Sequence, residues 1–317
     1  MKAVPAPTLE DIRAARERIA GSAIRTPLIR LNFDEAPAEI YLKLENLQPI
    51  GSFKLRGAGN AMRLAGMDKL RNGVYTASAG NMAQGVAWNA RELGVPCSVI
   101  VPDRAPETKL AAIKRLGSEI IKVPFDDWWQ VIIDHTYPGM ESFFIHPVSD
   151  TSVMAGNGTI GLEILEDLPD VEAIVIPFGG GGLSCGIATA IRALKPDAKV
   201  YACEVGTAAP LKASLEAGSP QTVEHTSSFV DGIGGKSVLT EMWSLVKNLL
   251  DDSLVVTLED VAKALKLLVE RNRVIAEGAG AVPVAAALLA KAGSGKVVCV
   301  VSGGNIDFEK LASIIST

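Results

Sequence analysis

The stretch Ala173-Ile174-Val175-Ile176-Pro177-Phe178-Gly179-Gly180-Gly181-Gly182-Leu183-Ser184 decides the fold. Its opening residues are apolar on both faces, the pattern of a parallel strand covered on each side. A helix is expected to follow over 184–194. Glycines between a buried strand and a helix start present backbone N–H groups to an anion, and most side chains would block that approach or resist a positive φ. With 30 glycines in 317 residues, four in a row arise by chance only about a few per cent of the time, so a bare tight turn is the weaker alternative. The run lacks the Lys-Ser/Thr ending of a nucleotide P-loop and the spacing of a dinucleotide fingerprint. A smaller phosphate is implied, for instance one carried by a cofactor.

The same strand and helix rhythm extends outward from this turn. Downstream, strands are expected over 199–204 and 296–301, with helices over 258–271 and 279–292. Upstream, a helix is expected over 158–167, preceded by strands over 73–77, 97–101 and 119–123 that alternate with helices over 82–93 and 108–116. Thr8 and Asp11 cap a first helix carrying Ile12, Ala15 and Ile19, a strand covers 40–44, and helical spacing resumes over 53–64. The expected fold is α/β, with two doubly wound open-sheet lobes. Residues 1–62 and 151–317 form the large one, and residues 63–150 form the small one.

Composition agrees, since 48% hydrophobic residues with only 5% aromatics require a core of Ala, Val, Ile and Leu. The net charge of −5 comes from 31 basic and 36 acidic residues without a basic block, so nucleic acid is not an expected partner. No apolar run reaches the roughly 18 residues that span a bilayer, and the start lacks a signal-peptide pattern. A cytoplasmic protein with no membrane partner is expected. Cys97, Cys185, Cys203 and Cys299 form no C-x-x-C pair and read as buried thiols, and the three histidines lack metal-ligand spacing.

Three further positions carry possible chemistry. Lys54 lies in Gly51-Ser52-Phe53-Lys54-Leu55-Arg56-Gly57, where apolar neighbours and the Arg56 charge would both lower its pKa; a surface lysine at a helix start is the alternative. Ser78-Ala79-Gly80-Asn81 closes a strand and opens a helix, a corner for a carboxylate or a simple N-cap. Ser302 ends a buried strand, where open α/β sheets bind ligands, unless Gly303 and Gly304 make only a solvated turn.

Taken together, Gly51 to Gly57, Ser78 to Gly85, Gly179 to Leu183 and Ser302 to Asn305 closely resemble the threonine dehydratase and serine racemase branch of fold-type II pyridoxal-phosphate enzymes. Thr26-Pro27-Leu28, Tyr41 to Glu45, Ala155 to Thr159 and Glu277 to Gly280 follow in the same order, so the resemblance covers nearly the whole chain. It implies a fold of the tryptophan synthase β type with pyridoxal 5'-phosphate between the lobes. Matched by position, Lys54 would bind the cofactor covalently and act as base, Phe53 would pack beside it, and Asn81 would hydrogen-bond its 3-hydroxyl. Gly179, Gly180, Gly181, Gly182 and Leu183 would hold the phosphate, Ser302 would meet the pyridine nitrogen, and Gly232 would lie against the ring. Ser78, Asn81 and Gln84 would receive the substrate carboxylate. The implied activity is that of an ammonia-lyase, a homodimer converting L-threonine, L-serine or a similar β-hydroxy-α-amino acid to a 2-oxo acid and ammonia.

Several positions depart from the family pattern. Ala79 stands where racemases place a second serine, which favours elimination over the alternative of amino-acid racemisation. Met82 replaces the usual histidine of dehydratases and makes the substrate pocket greasier. Trp129 falls near an arginine of racemases and hydroxyaspartate-eliminating relatives, which argues against an acidic substrate and keeps an aromatic one such as phenylserine as an alternative. The pair Trp128-Trp129 also fits a lobe-packing role. Pro210 stands where the family's divalent-metal site has an acid, so no metal is expected; Glu204 remains a weak candidate ligand, or else a strand-end surface acid. With no sequence after Thr317 for a regulatory domain, isoleucine feedback is not expected. A protein that binds pyridoxal phosphate or another anion without turnover is the third reading.

Overall fold

The computed structural model describes residues 3–316. Ten strands form two sheets. In the larger, β1 (Leu28–Arg30), β2 (Glu39–Leu44), β10 (Lys296–Val301), β7 (Ala173–Pro177), β8 (Lys199–Val205) and β9 (Asp252–Val256) lie side by side in that order. Only β1 runs antiparallel to its neighbour. In the smaller, the order is β5 (Glu119–Val123), β4 (Cys97–Pro102), β3 (Val74–Ala77) and β6 (Phe143–Phe144), all parallel.

Strand periodicity explains why both faces of each sheet are covered. On the larger sheet Ile174, Ile176, Val200, Val298 and Val300 enter one core, while Ala173, Val175, Cys203, Val297 and Val301 enter the other. On the smaller sheet Val74, Val99 and Val101 face one core, and Tyr75, Ala77 and Ile100 the opposite one. These are the continuous apolar runs the sequence contains, now split between two layers. All four cysteines are buried and free, and no helix of the described residues is long and apolar enough to cross a membrane.

Helix termini account for most differences from the sequence expectation. Thr8 and Asp11 form the expected capping box of the helix Leu9–Ile19. The helix expected over 158–167 begins earlier, at Thr151, because the Asp150 side chain accepts from the N–H groups of Ser152 and Val153. Its glycines resemble a loop in sequence and are packing contacts in space. A Cβ on Gly156 would lie 2.5 Å from the Arg56 carbonyl oxygen, so the helices Thr151–Asp167 and Lys54–Ala65 can approach only without it. The helix expected over 258–271 is α-helical over Leu258–Leu267, then widens to a π turn at Leu268–Asn272 that ends on Arg273 with φ 58°.

Candidate active site

Strand β7 delivers the glycine run to the carboxyl edge of the larger sheet, and the helix Gly182–Leu194 leaves from it. Gly181 caps that helix with φ 98°, a conformation open to glycine and costly for other residues. Among the described residues the N–H groups of Gly179, Gly180 and Gly181 have no acceptor. They are open donors at a helix N-terminus, at the turn where the sequence reading expects an anion.

Strand β10 ends beside it at Ser302, which is buried and whose hydroxyl has no partner among the described residues. The loop before Lys54 is pinned to this strand end: Phe53 N–H donates to the Ser302 carbonyl at 3.0 Å, and Gly304 N–H to Gly51 at 2.9 Å. Lys54 then opens its helix with Nζ inside the cleft, donating to the Pro147 carbonyl at 2.8 Å and lying 5.2 Å from the Phe53 ring centroid. Burial pushes the Lys54 ammonium down to about 8, against an opposing pull from the Glu277 carboxylate. Arg56 plays no part in this. Its guanidinium is buried and paired with Glu45 at 2.8 Å and Glu163 at 2.6 Å, and Lys43 completes the cluster through Glu163 at 2.6 Å. The expected cationic neighbour of Lys54 is a neutralised structural group, and desolvation alone lowers the lysine.

The opposite wall comes from the smaller sheet. Strand β3 ends at Ala77, and the helix Asn81–Leu93 starts with Asn81 at its first position. Ser78, Ala79, Asn81, Met82 and Gln84 all line one cavity with Lys54, Phe53, the glycine run, Leu183, Gly232 and Ser302. That cavity measures about 1020 Å³. Every residue the sequence singled out for cofactor binding meets there. Trp129 does not: it points outward, 39% exposed, and its neighbour Trp128 lines the cavity in its place. On the helix Phe125–Asp134 successive residues project about 100° apart, and positional matching alone chose the wrong one.

Glu277 is the group the sequence reading missed. It stands at the N-cap of the helix Gly278–Leu288 and lines the same cavity, and the Asn81 amide donates to its two oxygens at 2.9 and 3.1 Å. Asn305 in turn donates to Asn81 Oδ1 at 2.8 Å, so Asn81 is held from the larger-sheet side of the cleft. Burial pushes the Glu277 carboxyl up to about 7, with the Asn81 hydrogen bond working against it. The only signal in the sequence was an acid preceding Gly278-Ala279-Gly280. His146 is a second unforeseen contributor. Burial and the nearby His135 push it down to about 3, so its Nδ1 is an acceptor for the N–H groups of Val148 and Ser149, which shapes the turn carrying the Pro147 carbonyl.

Glu204 corrects another expectation. It is buried, not a surface acid, and its oxygens accept from Leu211 N–H, Lys212 N–H and the Ser253 hydroxyl. Among the described residues no group of three or more His, Cys, Asp or Glu side chains could hold a metal ion.

A family model described as pyridoxal-phosphate dependent enzyme matches residues 19–303. The chain belongs to that family. Among curated members, it is 41% identical to an L-threonine ammonia-lyase of Thermotoga maritima, over 98% of this chain and 78% of that protein. It is 36% identical to the catabolic L-threonine dehydratase TdcB of Escherichia coli, over 96% and 95%. Among solved structures, maize serine racemase superposes with a TM-score of 0.90 at 31% identity, covering 98% of both chains. The two largely parallel sheets with a cleft between them are thus a fold-type II arrangement.

Proposed function

We propose that this family member is an ammonia-lyase that eliminates water from a β-hydroxy-α-amino acid such as L-threonine or L-serine to release an enamine, whose imine tautomer takes up water to yield a 2-oxo acid and ammonia. The observation that carries the reading is one cavity in which a desolvated lysine amine, a turn of free N–H groups and a Ser78 to Gln84 corner converge. The names of the 36–41% identical relatives support the same reaction.

The cavity residues fit pyridoxal phosphate. The unfilled N–H groups of Gly179 to Gly181 suit a phosphate, the partnerless Ser302 hydroxyl suits a pyridine nitrogen, and Lys54 suits an aldehyde. When bound, the cofactor supplies an electron sink that acidifies the substrate Cα–H.

The chain's own groups supply the rest. With a pKa of about 8, Lys54 is partly neutral near neutral pH and can take the α-proton. The Pro147 carbonyl at 2.8 Å orients its amine. Asn81, fixed by Glu277 and Asn305 at the cavity wall, would meet the cofactor's 3-hydroxyl. Ser302 is a neutral hydroxyl and cannot hold a ring nitrogen firmly protonated as a carboxylate would, which favours prompt loss of the β-hydroxyl. Ser78, Asn81 and Gln84 receive the α-carboxylate. Ala79 offers no proton from the opposite face, so elimination is favoured over racemisation. Residues 63–150 form the small lobe in this proposal, closing over the substrate to exclude water, and the assembly is a homodimer.

Lys54→Ala tests the reading. The variant is expected to lose 2-oxo acid production from threonine and serine together with the visible absorbance of lysine-bound cofactor; retained turnover with an unchanged spectrum refutes it.

A further inference from the structure

We propose that the wall formed by Phe125 and Trp128 selects β-hydroxy-α-amino acids whose β-carbon carries an aromatic ring. This inference rests on the ammonia-lyase reading and names the substrate class within it. The cavity groups divide by position. In that reading the glycine turn, Lys54 and Ser302 engage the cofactor, and the Ser78 to Gln84 corner engages the α-carboxylate. What remains is the surface beyond the carboxyl ends of β4 and β5, where Ala105, Phe125 and Trp128 line the cavity. A substituent on the β-carbon has this surface to meet.

Two of its groups are aromatic, beside the charged Asp103 and Arg104 and a Trp128 Nε1–H that is buried without an acceptor among the described residues. Phe125 is 58% exposed and Trp128 half-buried, with ring centroids 5.5 Å apart and planes tilted by 44°. An incoming ring extends this array in the tilted geometry that aromatic pairs prefer. A methyl group or a bare methylene would leave these rings facing water. Of the cationic groups on the small-lobe side, Lys109 is paired with Asp231 at 2.9 Å. Exposed Arg104 is the one that would read an anionic substituent instead.

The test uses the full-length enzyme loaded with pyridoxal phosphate and measures ammonia release from L-threo-phenylserine, L-threonine, L-serine and L-threo-hydroxyaspartate. The kcat/KM for phenylserine is expected to exceed that for threonine by about tenfold or more, the gain from burying one Phe-sized group. In Trp128→Ala this ratio is expected to fall about tenfold, and in Phe125→Ala, a change at an exposed position that spares folding, about threefold. Threonine favoured over phenylserine, or a ratio unchanged in both variants, overturns the inference and leaves the lyase reading standing. A preference for hydroxyaspartate also overturns it and points to Arg104. No ammonia from any of the four substrates, with lysine-bound cofactor visible in the spectrum, removes the lyase reading and this inference with it.

Discussion

Strands β7 and β8 are parallel neighbours, and each runs to the same edge of the larger sheet before turning into a helix. The two corners solve the helix N-terminus in opposite ways. After β8, Glu204 places Oε1 at 2.9 Å from Leu211 N–H and Oε2 at 2.9 Å from Lys212 N–H, so the helix Pro210–Ala217 is capped by the protein's own carboxylate. After β7, four glycines leave the N–H groups of Gly179 to Gly181 without an acceptor. Both helix ends attract negative charge equally well. The difference lies in what meets that end: one corner is plugged from within, and the other is left open to the cavity.

The most severe way to break this contrast is to crowd the open corner. A Cβ on Gly182 would sit 2.9 Å from the Val148 carbonyl oxygen, and one on Gly180 would sit 2.6 Å from a Val148 side-chain methyl. Backbone cannot yield as a methyl group can. Gly182→Ala and Gly180→Ala are each expected to weaken pyridoxal-phosphate affinity about a hundredfold, in line with a few kcal/mol of overpacking. Adding Val148→Ala restores most of that affinity to Gly180→Ala and little to Gly182→Ala. Titration of the apo-enzymes with cofactor, with Val148→Ala alone as reference, reads this directly. Equal rescue of both would mean that the turn tolerates side chains and that its glycines serve another purpose.

The two buried acids sharpen the contrast at the next level. Glu204 has three donors, whereas among the described residues Glu277, inside the cavity, has only the Asn81 amide. Burial moves Glu277 from 4.5 to about 7, so between those pH values the folded protein holds a proton that the unfolded chain has released. Its contribution to stability therefore falls as pH rises through that window, reaching a penalty of about 3 kcal/mol above pH 7. Lys54 has the opposite sense. Its value of about 8, down from 10.5, means the unfolded chain binds the extra proton, and stability recovers as pH rises between the two. Glu277→Gln is expected to remove the lower-pH fall and to extend the Lys54 rise toward lower pH, because the variant also loses the carboxylate that holds the lysine up. Denaturant midpoints of wild-type and variant apo-enzyme across this range give the difference, and a difference independent of pH rules out Glu277 as its source.

The open corner was legible in sequence because glycine is an unambiguous signal: a run after a buried strand has few structural meanings. Lys54 and Ser302 were legible as strand-end and turn positions, and the helix and strand periods placed them in the same edge region. Glu277 was not, because a single acid before a glycine-rich helix carries no local sign of being buried 196 residues away from its partner Asn81. Arg56 misled for the same reason. Its adjacency to Lys54 is real in sequence, while its partners Glu45 and Glu163 are long-range. The Thr151–Asp167 helix was truncated in the reading because Gly156 and Gly158 look like loop punctuation. They are required by close contacts with the Arg56 backbone and with Gly186.

The gentlest perturbation converts the plugged corner into an open one. Glu204→Gly deletes the carboxylate and strands the N–H groups of Leu211 and Lys212 and the Ser253 hydroxyl. A loss of about 2 kcal/mol is expected from the missing cap and the unpaired donors. Cofactor affinity should stay within about twofold, because the glycine corner is a separate helix end whose field fades within its first turn. If the contrast is about who supplies the anion, a small carboxylate in solution should replace the lost one. Acetate is therefore expected to raise the denaturant midpoint of Glu204→Gly more than that of the wild type at matched ionic strength. A chelator should change neither protein, since Glu204 uses its oxygens on N–H and O–H donors and not on a cation. Destabilisation that acetate cannot relieve, or that a chelator reproduces in the wild type, would show that the β8 corner does something other than cap its own helix.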